Sequence, residues 1–139
     1  MMRVLLDTNV VLDFVLQRQP FFIEADEIFF RLRNDEFEGF VSPITPINVF
    51  YTTRKEIDKT TAFIAIEELL NLVEISKSNN QIYQTALSIN FNDYEDAVQH
   101  ECAVAENLDA IVTRNPKDFK NGSVKVYSPD DFLKYLQTI

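Results

Sequence analysis

The 139 residues carry 13 lysines and arginines against 22 aspartates and glutamates, a formal net charge of −9. A chain of this length holds one hydrophobic core, and 46% apolar with 25% charged residues mark it as globular rather than disordered. Such acidity excludes a protein that grips nucleic acid by bulk positive charge, but not an enzyme whose metal site is built from carboxylates.

Residues 1–139 are read as a single domain in which short apolar runs alternate with helical periodicity. Arg3 to Leu6 is a first strand, ending at Asp7. Ala25, Ile28, Phe29 and Leu32 then recur at i, i+3, i+4, i+7, the pattern of one buried helix face. Phe40 to Ser42 is a second strand. Ile64, Leu69 and Leu72 support a helix after Thr60, and Leu72 to Ile75 reads as a third strand. Ile82, Ala86 and Leu87 support another helix. Ala110 to Thr113 and Val124 to Tyr127 are the fourth and fifth strands, and Ser128-Pro129-Asp130-Asp131 is a helix start with a capping hydroxyl and proline at the first position. Strands alternating with helices imply right-handed crossovers and a mostly parallel sheet. The fold class is therefore α/β, a three-layer α/β/α domain with about five strands.

The scarce residues narrow the chemistry. Two glycines, Gly39 and Gly122, stand too far apart to write a phosphate-binding loop. One cysteine, Cys102, excludes an internal disulfide framework and a Cys-rich zinc site. The single histidine, His100, excludes paired-histidine metal motifs; it and Cys102 read as structural. Catalysis, if any, rests on carboxylates. No targeting segment or membrane span is expected, which points to the cytoplasm and a reduced thiol.

Ligands of open α/β sheets bind beyond the carboxyl ends of the strands. Asp7 stands there, after the first strand. Asp118 follows the fourth strand, and Asp93 and Asp96 open the helix that leads into it, at a spacing that shares one helix face. Acids converging there repel one another unless a cation lies between them, and carboxylate oxygens suit Mg2+ or Mn2+. Each acid also has a plainer role. Asp7 is a helix cap, Asp93 a cap or first-turn acid, Asp118 a turn residue and Asp13 a solvated helix residue. Phe21, Phe22, Phe29 and Phe30 read as core or subunit contacts. No single acid is specific; their order along the chain carries the reading.

That order resembles the PIN-domain (PilT N-terminus) nucleases. Leu5-Leu6-Asp7-Thr8-Asn9-Val10 is similar to the family's opening, and Glu95-Asp96-Ala97-Val98-Gln99 with Ala103 to its later helix motif. The stretch from Ala110 to Phe119 is similar to its closing motif. The resemblance implies a divalent-metal-dependent endoribonuclease acting on single-stranded or structured RNA, with Mg2+ or Mn2+ as cofactor. Many small members are toxins, often homodimeric and neutralised by a small antitoxin protein. Carried across, Asp7, Asp96 and Asp118 surround the metal, with Asp93 a fourth acid, and Asn9 and Thr113 are polar supports. Asn115 falls at a position often acidic in relatives. Arg114, Lys117 and Lys120 are candidates to guide the RNA backbone; a solvated loop is their alternative.

One departure stands out. Many such nucleases carry a glutamate on the helix after the second strand, and here Asn48 stands about there. An asparagine accepts a hydrogen bond but brings no charge. A second reading is therefore a catalytically weak or inactive PIN scaffold acting through protein or nucleic-acid binding. A third, phosphoryl transfer with Asp7 as nucleophile, fits less well. Asn9 occupies the position where haloacid dehalogenase-like phosphatases need an acid, and the acidic pair of receiver domains is missing.

Overall fold

A computed structural model describes residues 1–139. Its elements run β1 (Arg3–Leu6), α1 (Thr8–Val15), α2 (Phe22–Arg33), β2 (Glu38–Val41), α3 (Ile44–Glu56), α4 (Lys59–Leu72) and β3 (Val73–Ile75). They continue with α5 (Asn80–Ser88), α6 (Tyr94–Ala105), β4 (Ala110–Val112), a 3-10 turn (Pro116–Phe119), β5 (Lys125–Tyr127) and α7 (Pro129–Leu136). The five strands lie in the order β3-β2-β1-β4-β5, and every pairing is parallel.

Strand alternation divides the interior into two. Val4 and Leu6 of β1, with Ala110 and Val112 of β4, join residues of α1, α2 and α7 in the larger core. Leu5 and Ile111 point the other way, against Ala103 of α6 and Phe119 of the 3-10 turn. Both faces of the central strands are thus covered, which is why their sequences read as unbroken apolar runs. The three-layer α/β/α expectation agrees with the structure.

Several boundaries shift for identifiable reasons. β2 begins at Glu38, two residues before its apolar run, because Arg3 pairs with Glu38 in the ladder. Leu72 ends α4 rather than starting β3, so helix and strand join without a loop. The buried face of α4 is Ala62, Ala65 and Leu69, and Ile64 stands outside it, 52% exposed. Leu87 is likewise exposed beyond the buried Ile82 and Ala86. Phe29 is buried and stacks on Phe14 at 4.1 Å, whereas Phe21 and Phe30 are exposed. The Ser128 cap forms as read, its hydroxyl accepting from the Asp131 amide at 3.1 Å.

Asp13 requires a correction. It is not a solvated helix residue but is 1% exposed. Its Oδ2 lies 2.8 Å from Arg114 Nε, in an ion pair rather than an aligned hydrogen bond, and its Oδ1 has no partner. The Arg114 guanidinium also covers the Phe21 ring, 4.0 Å from its centre. That partner lies far along the chain, so periodicity on α1 could not reveal it.

Candidate metal-binding cleft

The chain runs from β1 outward to β2 and β3, then crosses back over β1 to β4 and β5. The strand order therefore reverses between β1 and β4, where an open parallel sheet leaves a crevice at its carboxyl edge. Asp7 leaves β1 at that edge. Its main chain is committed, the amide donating to Val112 O at 3.0 Å and the carbonyl accepting from Val10 N at 3.0 Å. Its side chain makes no cap bond to α1. Instead Oδ1 accepts from Gln99 Nε2 at 2.9 Å and Oδ2 from the Thr113 hydroxyl at 2.8 Å. Asp7 is buried and oriented, and each oxygen keeps a further lone pair.

α6 brings the next acids. Asp93 is its N-cap, Oδ1 accepting from the Asp96 amide at 3.0 Å. Glu95 and Asp96 occupy its first turn, where the helix dipole favours negative charge. Asp118 is exposed on the 3-10 turn after β4, next to Phe119, which is buried against Phe91. The loop carrying it is tied to Asp7 through one hydroxyl, because Thr113 Oγ1 also accepts from the Asn115 amide at 3.2 Å.

These side chains line a cleft of about 330 Å³ formed by Asp7, Thr8, Asn9, Leu12, Asn48, Thr52, Asp93, Glu95, Asp96 and Asp118. Leu12 is its one apolar wall, and no lysine or arginine lines it. Burial raises the Asp96 carboxyl to about 7, and Asp7, Asp93, Asp118 and Glu95 push it the same way. Burial also raises Glu95, reinforced by Asp7 and Asp93 and opposed by hydrogen bonding from Thr8 and Asn48. Five carboxylates with no basic partner fit a hard cation, since every charged donor is oxygen. No three of them are already gathered at ion-binding geometry. Uncompensated repulsion favours such spreading, and Mg2+ needs only one or two direct carboxylates because it retains several waters.

Of the residues singled out from sequence, Asp7, Asn9, Asn48, Asp93, Asp96 and Asp118 meet in this cleft. Thr113 lies behind Asp7, and Asn115 contributes its backbone. Arg114 is turned to Asp13 and Phe21, while Lys117 and Lys120 are exposed on either side of Asp118. Sequence reasoning did not single out Glu95 or Gln99 as site residues. Gln99 falls three residues after Asp96, a spacing that puts both on one face of α6, and that signal was available. His100 is structural, as read. Its Nδ1 pairs with Glu101 Oε2 at 2.7 Å and its Nε2 accepts from the Ser123 amide at 2.9 Å. Cys102 is buried.

A parallel five-stranded sheet with an acid-lined cleft at its switch point defines an α/β protein of the three-layer, open-sheet class. The PIN domain family model matches residues 3–117, and the chain belongs to that family. It is similar to Ribonuclease VapC1 of Aquifex aeolicus (strain VF5), with 27% identity over 99% of this chain and 97% of that protein. Its fold is similar to VapBC from Salmonella typhimurium, solved bound to DNA, at TM-score 0.69 and 17% identity over 93% of this chain and 99% of that one. The sarcin-ricin loop cleaving toxin VapC20 of Mycobacterium tuberculosis shares the fold at TM-score 0.62 and 11% identity, over 78% of this chain and 86% of that one.

Proposed function

We propose that the protein is a divalent-metal-dependent endoribonuclease of the toxin type, cleaving single-stranded or structured RNA. The observation that carries this reading is the convergence of Asp7, Asp96 and Asp118 on a cleft without basic residues. Membership of the PIN domain family and likeness to a ribonuclease support it. Asp7, Asp96 and Asp118 would hold Mg2+ or Mn2+, with Asp93 and Asn9 completing the polar wall. The bound ion would activate water and offset the charge that builds on the phosphate.

The remaining roles belong to the chain itself. Gln99 and Thr113 fix the direction of the Asp7 lone pairs. Asp96, raised by burial and by the neighbouring acids, is the carboxylate whose negative charge a cation in the cleft would offset. Lys117 and Lys120 flank Asp118 and offer charge to an RNA backbone. Arg114, neutralised by Asp13, anchors the loop carrying Asn115 and Asp118 to α1. As partners, the toxin reading brings an RNA substrate, a small antitoxin protein and a second copy of the chain, all in the cytoplasm. The neighbouring folds include toxin–antitoxin complexes, and no helix here is long and apolar enough to cross a membrane.

The test is RNA cleavage by the purified chain with Mn2+ or with EDTA, beside Asp96→Asn. Cleavage that needs Mn2+ and falls to background in Asp96→Asn is expected. Equal cleavage by both proteins overturns the role of Asp96. The inactive-scaffold reading is favoured by Asn48 alone, and it predicts no Mn2+ binding by the wild-type chain.

A further inference from the structure

Asn48 and Glu95 face each other across the cleft, from α3 and from the first turn of α6. The Asn48 amide nitrogen donates toward both carboxylate oxygens of Glu95, at 3.4 Å to Oε1 and 3.5 Å to Oε2. We propose that Glu95 is a carboxylate of the cation site, supplied from α6 and held in the cleft by Asn48. The proposal deepens the nuclease reading and rests on it.

Three observations support the assignment. Glu95 shares the cleft wall with Asp7, Asp96 and Asp118, and it is half-buried there rather than directed into solvent. The α6 terminus does not need it, because Asp93 already caps that end by accepting from the Asp96 amide. Finally, the residue opposite is an amide. A donor at position 48 steadies a carboxylate at position 95, whereas a second acid there would repel it. The amide on α3 and the carboxylate on α6 then form one arrangement, a donor facing the acid it steadies.

Calorimetric titration with Mn2+ alone, on the full chain without RNA, tests this in four proteins: wild type, Glu95→Gln, Asn48→Glu and the double variant. Glu95→Gln is expected to weaken Mn2+ binding by about tenfold or more, on the scale of disturbed metal-site residues. Its metal-free melting temperature should be no lower than wild type, since one mutual repulsion is removed. Asn48→Glu should melt lower than wild type without metal. The double variant, with carboxylate and amide exchanged, should recover most of the lost affinity. Wild-type affinity in Glu95→Gln overturns this proposal and leaves the nuclease reading standing. A double variant that binds no better than Glu95→Gln also overturns it. Absence of Mn2+ binding by the wild type overturns both readings together.

Discussion

The Gln99 amide donates to Asp7 Oδ1 at 2.9 Å, joining the middle of α6 to the carboxyl end of β1. Both side chains are buried, and the Thr113 hydroxyl holds the other oxygen. Asp7 therefore enters the cleft with one orientation, set from two elements. Gln99→Leu removes a donor and also the unpartnered Oε1 of Gln99, so the fold should survive while Asp7 rotates. Calorimetry should show Mn2+ affinity reduced by about 10–100-fold. Gln99→Glu should instead destabilise the fold, by burying a second carboxylate against Asp7. Wild-type Mn2+ affinity in Gln99→Leu would mean that Asp7 needs no such support.

The Asp96 carboxyl moves from its ordinary 3.8 to about 7 on folding. Between those values the folded state holds the proton more firmly than the unfolded chain does. Its contribution to stability is therefore full below pH ~4 and is lost as pH rises through ~7. Asp96→Asn carries no charge at any pH. Without metal, its melting temperature should gain on wild type from pH 4 upward and level off above pH 7. Added Mn2+ should reverse the order at pH 7.5 by binding the ionised wild type. A difference that stays constant from pH 4 to 8 would contradict the cleft electrostatics.

Removing one member of the Asp13–Arg114 pair leaves a buried charge without its counter-ion, which typically costs about 3–5 kcal/mol. The Arg114 side chain retains 23% exposure, which places Arg114→Met toward the lower end of that range. Urea unfolding measures it. Adding Asp13→Leu should recover much of the loss, because the unpaired carboxylate then disappears. An unchanged urea midpoint in Arg114→Met would show that the pair holds nothing together.

A Cβ on Gly122 would stand 2.5 Å from ring atoms of His100. The ring has little room to withdraw, since Glu101 and the Ser123 amide hold its two nitrogens. Gly122→Ala should cost on the order of 1–3 kcal/mol as overpacking, seen as a lower melting temperature. The turn it closes begins at Phe119, whose carbonyl accepts from the Gly122 amide at 2.9 Å. Asp118 lies immediately before, so Mn2+ affinity should fall as well. A melting temperature equal to wild type would show that His100 can move aside.

The sheet was legible because its central strands are covered on both faces, so Val4 to Leu6 and Ala110 to Val112 appear as apolar runs. The acids were legible because a parallel sheet exposes its ligand site where strands end, and Asp7 and Asp118 follow strand ends. What escaped depends on partners distant in sequence. Asp13 looks like any helix acid until Arg114 arrives beside it from 101 residues away, and Gln99 acquires its role only when α6 meets β1. Asn48 read as a lost charge; only the packing of α3 beside the start of α6 puts Glu95 opposite it. Ile64 was read with Leu69 as one helix pattern although only Leu69 lies on the buried stripe, whereas Phe30 already stood off the face of Ala25, Ile28, Phe29 and Leu32.

Anomalous scattering from crystals soaked in Mn2+ tests the central claim most directly. The account predicts a peak in the cleft at the β1–β4 switch point, ligated by oxygens of Asp7, Asp96 or Asp118 and, through Glu95, by the wall that faces Asn48. Loss of that peak in Asp96→Asn crystals should accompany it. A cleft without manganese in the wild type, or an ion held by other residues, would contradict it.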